Sequence, residues 1–314
     1  MYQRFLTSCL ICSLAAGVSG AASASATSSA GSSALSPSLN AAVGDREFKV
    51  LVGPGTAAGD ELARFQSVWQ ETVKVLSSAG FTVSPEKDHP WKVKRSQKVF
   101  FDTQDFRFWN KGFVIRLDTE LNKNWSAKDK PELTIKRLAA DGKAAPAPLV
   151  KKNGKTSETE ANFAVGPGGT VSVYLESSLD WDDIAAKPLN TYQVTDFSAL
   201  LPELGSLGVP AQTALSAHEV YVSRVQPGEV LIPGLREPRD ITIEAWSHTP
   251  GGEPFVTDIS FDYDAGDVLN ANAHTAAQQA LLKLNEHFSS AHPLPEAKKF
   301  LGSKVRVLLK KPVK

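Results

Sequence analysis

The stretch that most restricts the fold is VTDISFDYD, residues 256–264, in which Asp258, Ser260, Asp262 and Asp264 alternate with Ile259, Phe261 and Tyr263. A period of two places the acids on one face of a strand and the apolar side chains on the other. The pattern recurs in DREFKVLV, where Asp45, Glu47 and Lys49 oppose Phe48, Val50 and Val52, and in FVIRLD, where Arg116 and Asp118 oppose Ile115 and Leu117. Several strands therefore have one apolar face and one face charged with both signs. An ordinary antiparallel sheet with a solvated face meets this pattern. So does a barrel with a polar lumen and an apolar outer surface covered by helices.

Further strands read from KVFFDT (98–103), KGFVIRLDTE (111–120), ELTIKRL (132–138), TVSVYLESSL (170–179), EVYVSRVQ (219–226), DITIEAWS (240–247) and EPFVTDISFDYD (253–264), the last two joined by a hairpin across 248–252. Residues 60–79 place Leu62, Phe65, Val68, Trp69, Val73 and Leu76 at helical spacing, and Gly80 follows where a C′ glycine belongs. A second long helix is expected over 273–288, with Ala277, Leu281, Leu284 and Phe288 on one face, a short one over 197–204 and another near Pro295. Many short strands without a βαβ rhythm favour an α+β fold built on an antiparallel sheet or barrel. The two long amphipathic helices would cover its apolar side.

The first residues, MYQRFLTSCLICSLAAGVSGAASASA, combine an early arginine, a short apolar run and small residues suited to cleavage after Ala24 or Ala26. Residues 1–24 read as a signal peptide, 25–44 as a flexible Ser/Ala-rich leader and 45–314 as one domain, secreted or periplasmic, without stable membrane insertion. Cys9 and Cys12 both fall in the signal segment, so their C-x-x-C is a chance feature and the mature chain has no thiol. Lys+Arg and Asp+Glu balance at 34 each, which gives no bulk attraction for nucleic acid. Any charged site is local.

Other motifs carry less. The six histidines lack zinc-ligand spacing, and Gly53-Pro54-Gly55 and Gly154-Lys155-Thr156 lack the partners of a phosphate loop. No G-x-S-x-G elbow is present. Asn124-Trp125-Ser126 is a glycosylation sequon in a polar loop, and residues 304–314 read as a last strand or helix with a solvated basic tail.

Three motifs in order carry a resemblance. Asp45-x-Glu47-x-Lys49 resembles the E-x-E-x-K strand of the CYTH, or triphosphate tunnel metalloenzyme, superfamily. Phe100-Phe101-Asp102-Thr103, with Lys111-Gly112 leading to Arg116, is similar to that family's YFDT segment and the G-x-x-L-R strand after it, and Leu133-Thr134-Ile135-Lys136 to its LTLK strand. Beyond residue 137 the match thins to Arg224 and to Asp258-x-x-x-Asp262 as the closing acidic strand. The resemblance implies a closed or nearly closed antiparallel barrel of about eight strands, holding a triphosphate and Mg²⁺ or Mn²⁺. It also implies hydrolysis of inorganic tripolyphosphate or an organic triphosphate.

By that carry-over Asp45, Glu47, Asp258 and Asp262 are metal-ligand candidates, with Glu176 a fifth, while Lys49, Arg116, Lys136 and Arg224 would grip phosphate. Glu47 and Lys49 are the central catalytic pair. Ammonium and guanidinium groups suit phosphate oxygens, and carboxylates suit a hard divalent ion, so the residue types fit the implied chemistry. Three departures matter: Asp45 is shorter than Glu, Asp118 stands where a second arginine is common, and Ser260 where a second acid is. An added negative group beside phosphate weakens binding. A tunnel that binds an anion without turning it over is therefore the alternative, and a cyclase comes third.

Overall fold

The computed structural model describes residues 43–54, 60–86, 88–139, 145–151, 153–165, 169, 171–182, 184–294 and 303–310. The segment read as a signal peptide, nearly all of the one read as a leader, and the start of the helix expected near Pro295 lie outside the described residues. The strands are β1 (Asp45–Val52), β2 (Thr82–Pro85), β3 (Lys94–Asp102), β4 (Phe113–Leu121), β5 (Glu132–Ala139), β6 (Glu158–Val165), β7 (Val171–Trp181), β8 (Ser216–Leu231), β9 (Arg239–Ser247) and β10 (Pro254–Asp264). The helices are α1 (Glu61–Ser78), α2 (Arg107–Asn110), α3 (Val194–Ser198), α4 (Pro202–Gly205), α5 (Asn272–Ala291) and α6 (Lys304–Leu309). Among them, no helix is long and apolar enough to cross a membrane.

The strands run in the order β8-β3-β4-β5-β7-β6-β1-β10-β9, and β9 pairs back onto β8, so the barrel closes on nine strands with β2 attached outside along β8. This is the closed barrel of about eight strands that was expected, with nine, and one detail of its pairing needs correction: it is mixed rather than antiparallel, because β1 and β6 pair in parallel while the other pairs are antiparallel. The reading passed over β6, since Glu158, Glu160 and Asn162 face inward while the outward apolar set begins only at Ala161. The short helix expected over 197–204 is two separate turns, α3 and α4, because Pro202 starts a new helix at its first position.

The outer face has two apolar coats. Phe48, Val50, Val52, Ile259 and Phe261 pack under Phe65, Val68 and Leu76 of α1 and Ala277, Leu281, Leu284 and Phe288 of α5. This is the covering that the two long helical patterns require. The opposite wall, with Val99, Ile115, Leu133, Ile135 and Leu179, is covered instead by Tyr192, Val194, Phe197, Leu201 and Leu204 from the connection between β7 and β8. Two glycines permit close approaches. A Cβ at Gly228 would meet Ser84 O at 2.2 Å and the Trp69 ring at 2.6 Å, and Gly112 turns into β4 with φ +80°.

Phe48 is the hub of the first coat. Its ring stacks on Phe163 at 4.8 Å, Phe261 at 5.2 Å and Tyr263 at 5.6 Å between centroids, and it is fully buried. Deleting a buried aromatic ring removes its transfer energy and leaves a cavity. Phe48→Ala is therefore expected to cost about 3–5 kcal/mol in urea unfolding, whereas Leu269→Ser, at a 60 % exposed position, is expected to shift stability by no more than about 0.5 kcal/mol.

Candidate functional site

The charged faces read from the sequence point into the barrel and divide by sign. The registers align Glu47 with Asp262, Asp258 with Glu244, and Glu160 with Glu176, so acids dominate the wall β9-β10-β1-β6-β7. On the facing wall, Lys98 of β3, Arg116 of β4 and Lys136 of β5 share the inner face, with Lys94 and Arg224 opposite each other toward one end. Lys49 is the base set among the acids.

The lumen is open at one end and closed at the other. An inner cavity of about 190 Å³ is lined by Glu47, Lys49, Lys98, Arg116, Lys136, Glu176, Glu244 and Lys304, among others. An outer cavity of about 680 Å³ shares Lys98, Arg116, Lys136 and Glu244 with it and reaches Lys94, Arg224, Glu132 and Asp180. That volume is within the range of small-molecule sites. At the far end the inward residues turn apolar: Leu51, Phe100, Val114, Trp246 and Val256 pack with Val307 of α6.

Five of the nine residues singled out from the sequence, Glu47, Lys49, Arg116, Lys136 and Glu176, line the inner cavity. Arg224 lines the outer one. Asp258 lies deeper and is 1 % exposed. Asp45 and Asp262 are toward the open end, where Asp264, burial and further nearby acids raise the Asp45 carboxyl to about 6. Asp262 is raised as well, by burial and then by Glu47. Among the described residues, the acids whose oxygens gather in a group of three within 4.8 Å are Glu86, Glu229 and Asp240, where β2, β8 and β9 meet, rather than any set drawn from the five metal-ligand candidates.

Inside, nearly every charge has a partner. Lys49 meets Glu47 at 2.6 Å, Lys136 bonds Glu176, and Arg116 donates from Nε to Asp118 at 2.7 Å. Asp118 thus takes up the very arginine expected to grip phosphate. Burial alone would lower the Lys49 amine, but Glu47 outweighs it and raises the group well above the ordinary lysine range. Burial likewise opposes ionisation of Glu47, and Lys49 prevails to hold it low. Lys98 goes the other way, lowered by burial despite Glu244 at 3.7 Å.

Lys98, Glu244, Glu160, Tyr174 and Lys304 escaped the sequence reading. Lys98 and Glu244 sit in KVFF and ITIEAW at the alternating positions, so their inward direction was legible though their role was not. Lys304 was not legible. The C-terminal segment, read as a last strand or helix with a solvated tail, does start with a helix, but α6 enters the end of the barrel, with Arg306 only 3 % exposed and its guanidinium over the Trp109 and Tyr174 rings. No strand period could predict a helix entering from outside. The Asp102 of the FFDT motif accepts from the Thr103, Phe108 and Trp109 amides at 2.7, 3.0 and 2.9 Å, which fixes α2 and with it Trp109 at the closed end.

The barrel is closed. The closed architecture with a lumen charged in both signs is what the motifs in residues 45–137 imply. No family model matches the chain, and no curated protein does. Solved structures similar to it include a candidate adenylate cyclase from Bacillus halodurans, with 15% identity and a TM-score of 0.36 over 81% of this chain and 95% of that one. Another is a candidate adenylyl cyclase from Hippeastrum with a dominant triphosphatase activity, at 13% identity and 0.36 over 81% and 98%. A Pyrococcus horikoshii protein is similar at 10% identity and 0.34 over 84% and 99%. At such values the likeness carries no functional weight.

Glu160 marks a crowded place among the acids deep in the lumen. Burial, then Glu176 and Glu47 beside it, hold its carboxyl well above the usual carboxylate range. For an acid raised by folding, the native state loses stability as pH climbs from the unfolded value through the folded one. In the presence of EDTA, Glu160→Gln is therefore expected to raise Tm at pH 8 and leave it unchanged at pH 4; thermal scans across that interval check the sign.

Proposed function

We propose that this lumen binds a triphosphate, inorganic or organic, and hydrolyses its terminal phosphoanhydride with the help of Mg²⁺ or Mn²⁺. The observation that carries the reading is the division of the lumen into an acidic wall and a basic wall within one enclosed space. A polyphosphate chain is long, flexible and highly charged. It needs several fixed cations along its length, and Lys98, Arg116 and Lys136 offer them on three neighbouring strands, Lys98 and Lys136 each set off by two residues from Arg116 in the register.

The acidic wall fits a hard divalent ion by donor chemistry. Glu47, Glu160 and Glu176 offer carboxylate oxygens, and the raised Glu160 carboxyl marks a place where positive charge is short. Mg²⁺ is commonly held by one or two carboxylates together with substrate phosphates and water, so a preformed cage of three is not required. When bound there, such an ion would neutralise phosphate oxygens and orient a water. The chain's own residues supply the rest. Lys49 and Lys136 release Glu47 and Glu176 to take phosphate oxygens, and the closed apolar end keeps bulk water from that side of the phosphorus. Water adds to the terminal phosphorus, the bridging P–O bond breaks, the diphosphate portion leaves with the electron pair, and the water's proton passes to the phosphate oxygens of the products.

A second reading has its own observation. The bases of the lumen are already paired, Arg116 with Asp118 and Lys136 with Glu176 among them. A ligand must displace these pairs, and a tunnel neutralised from within suits binding of an anion without turnover. With a signal segment ahead of the barrel, either ligand would be met outside the cytoplasm.

Phosphate release from tripolyphosphate and from ATP separates the two. Hydrolysis predicts release with Mg²⁺ or Mn²⁺, abolished by EDTA and by Glu47→Gln. Lys136→Ala is expected to lower kcat/KM roughly 10- to 150-fold, the equivalent of about 1.5–3 kcal/mol for a hydrogen bond to a charged group. A thermal shift with tripolyphosphate and no product supports the binding reading, and neither effect contradicts both.

A further inference from the structure

The C-terminal helix brings into the lumen a cation that no strand supplies. The Lys304 ammonium lies 2.6 Å from Glu244 Oε1 and 2.6 Å from Asp258 Oδ1, and 5.3 Å from the centre of the Trp246 ring. Trp246 Nε1 donates to the same Glu244 oxygen at 2.7 Å, and Lys98 stands 3.7 Å from the other. Both carboxylates are among the most buried charged groups of the chain, Glu244 at 7 % and Asp258 at 1 % exposed.

Two buried carboxylates facing each other require positive charge between them. An ammonium and a divalent ion are alternative ways to supply it, and they exclude each other, because a doubly charged ion at this spot would sit against Lys304 and Lys98 in a desolvated space. The other acids differ. Glu47 and Glu176 pair with Lys49 and Lys136, and Glu160, in register with Glu176 on the next strand, is a third acid crowded against these two.

We propose that Lys304 is a resident cation that takes the place of a divalent ion between Glu244 and Asp258, so that the lumen holds a single metal-ion site, at Glu47, Glu160 and Glu176. The proposal rests on the reading of the lumen as a phosphate and metal tunnel. It makes Asp258, a metal-ligand candidate from the sequence, a lysine partner. It also makes the closed end of the lumen metal-independent, with ammonium groups alone facing the phosphate that reaches deepest.

The test counts ions. Mn²⁺ alone is titrated into the full chain and free ion is read by electron paramagnetic resonance, all in a Glu229→Gln background so that the group Glu86, Glu229 and Asp240 adds none. One ion per chain is expected with Lys304 present and with Lys304→Arg, and two with Lys304→Met. Glu47→Gln is expected to lose the single ion and Asp258→Asn to keep it, a comparison that stands even if Lys304→Met does not fold. Two ions in the protein that retains Lys304, or one ion lost with Asp258→Asn and kept with Glu47→Gln, overturns the proposal. A folded Lys304→Met that still binds one ion overturns it while leaving the metal reading intact. Zero ions in every form overturns the metal reading itself.

Discussion

Opposite charges taken out of water inside a closed barrel must find each other, and this constraint organises the molecule. An ionised side chain in such a space costs several kcal/mol unless paired. Closure of nine strands turns a row of alternating positions on each strand into one enclosed surface, so each charge gains neighbours from strands distant in sequence. Glu47 and Lys49 pair along β1, Lys136 reaches Glu176 across two neighbouring strands, and Lys304 comes from the far end of the chain to meet Glu244 and Asp258. The apolar side of the same strands, capped by α1 and α5 on one flank and by the β7–β8 connection on the other, holds the barrel shut around these charges.

The result is an interior whose charges are largely paired and which is polarised across its width. Such a space has little affinity for a single small anion, which would have to break an ion pair for one new contact. A polyanion accompanied by a cation is different. It exchanges several internal pairs at once for equivalent ones, bases to phosphate and acids to metal, so the protein's own salt bridges mark where each part of the ligand would go. The departures at Asp118 and Ser260 fit this view: Asp118 holds Arg116 in place, and Ser260, opposite Lys49 in the β1–β10 register, leaves that lysine to Glu47.

How much of this was legible in the sequence follows from the period of two. Wherever inward and outward residues differ clearly, as in DREFKV, FVIRLD and VTDISFDYD, both the strand and its orientation could be read, and the inward residues do line the lumen. Where the inward face is polar and the outward face begins with alanine, as in β6, the signal fell below that of a loop, and with β6 went the one parallel pairing and the crowding around Glu160. Residues 304–314, read as a last strand or helix with a solvated tail, do begin with a helix, but its buried position was not legible for another reason. Lys304, Arg306 and Val307 look like an exposed amphipathic end, and only the mouth of the barrel that α6 closes, a property of the whole fold, gives them a buried destination. The local spacing of charges therefore located the walls of the site, whereas its floor depended on contacts of the longest range.

The most direct measurement is a crystal structure with a non-hydrolysable tripolyphosphate analogue and Mn²⁺. The account predicts the phosphate chain against Lys98, Arg116 and Lys136, an anomalous manganese peak beside Glu47, Glu160 and Glu176, and the Lys49–Glu47 and Lys136–Glu176 pairs opened. A lumen that keeps all of its internal pairs, with the analogue bound elsewhere or not at all, would contradict it.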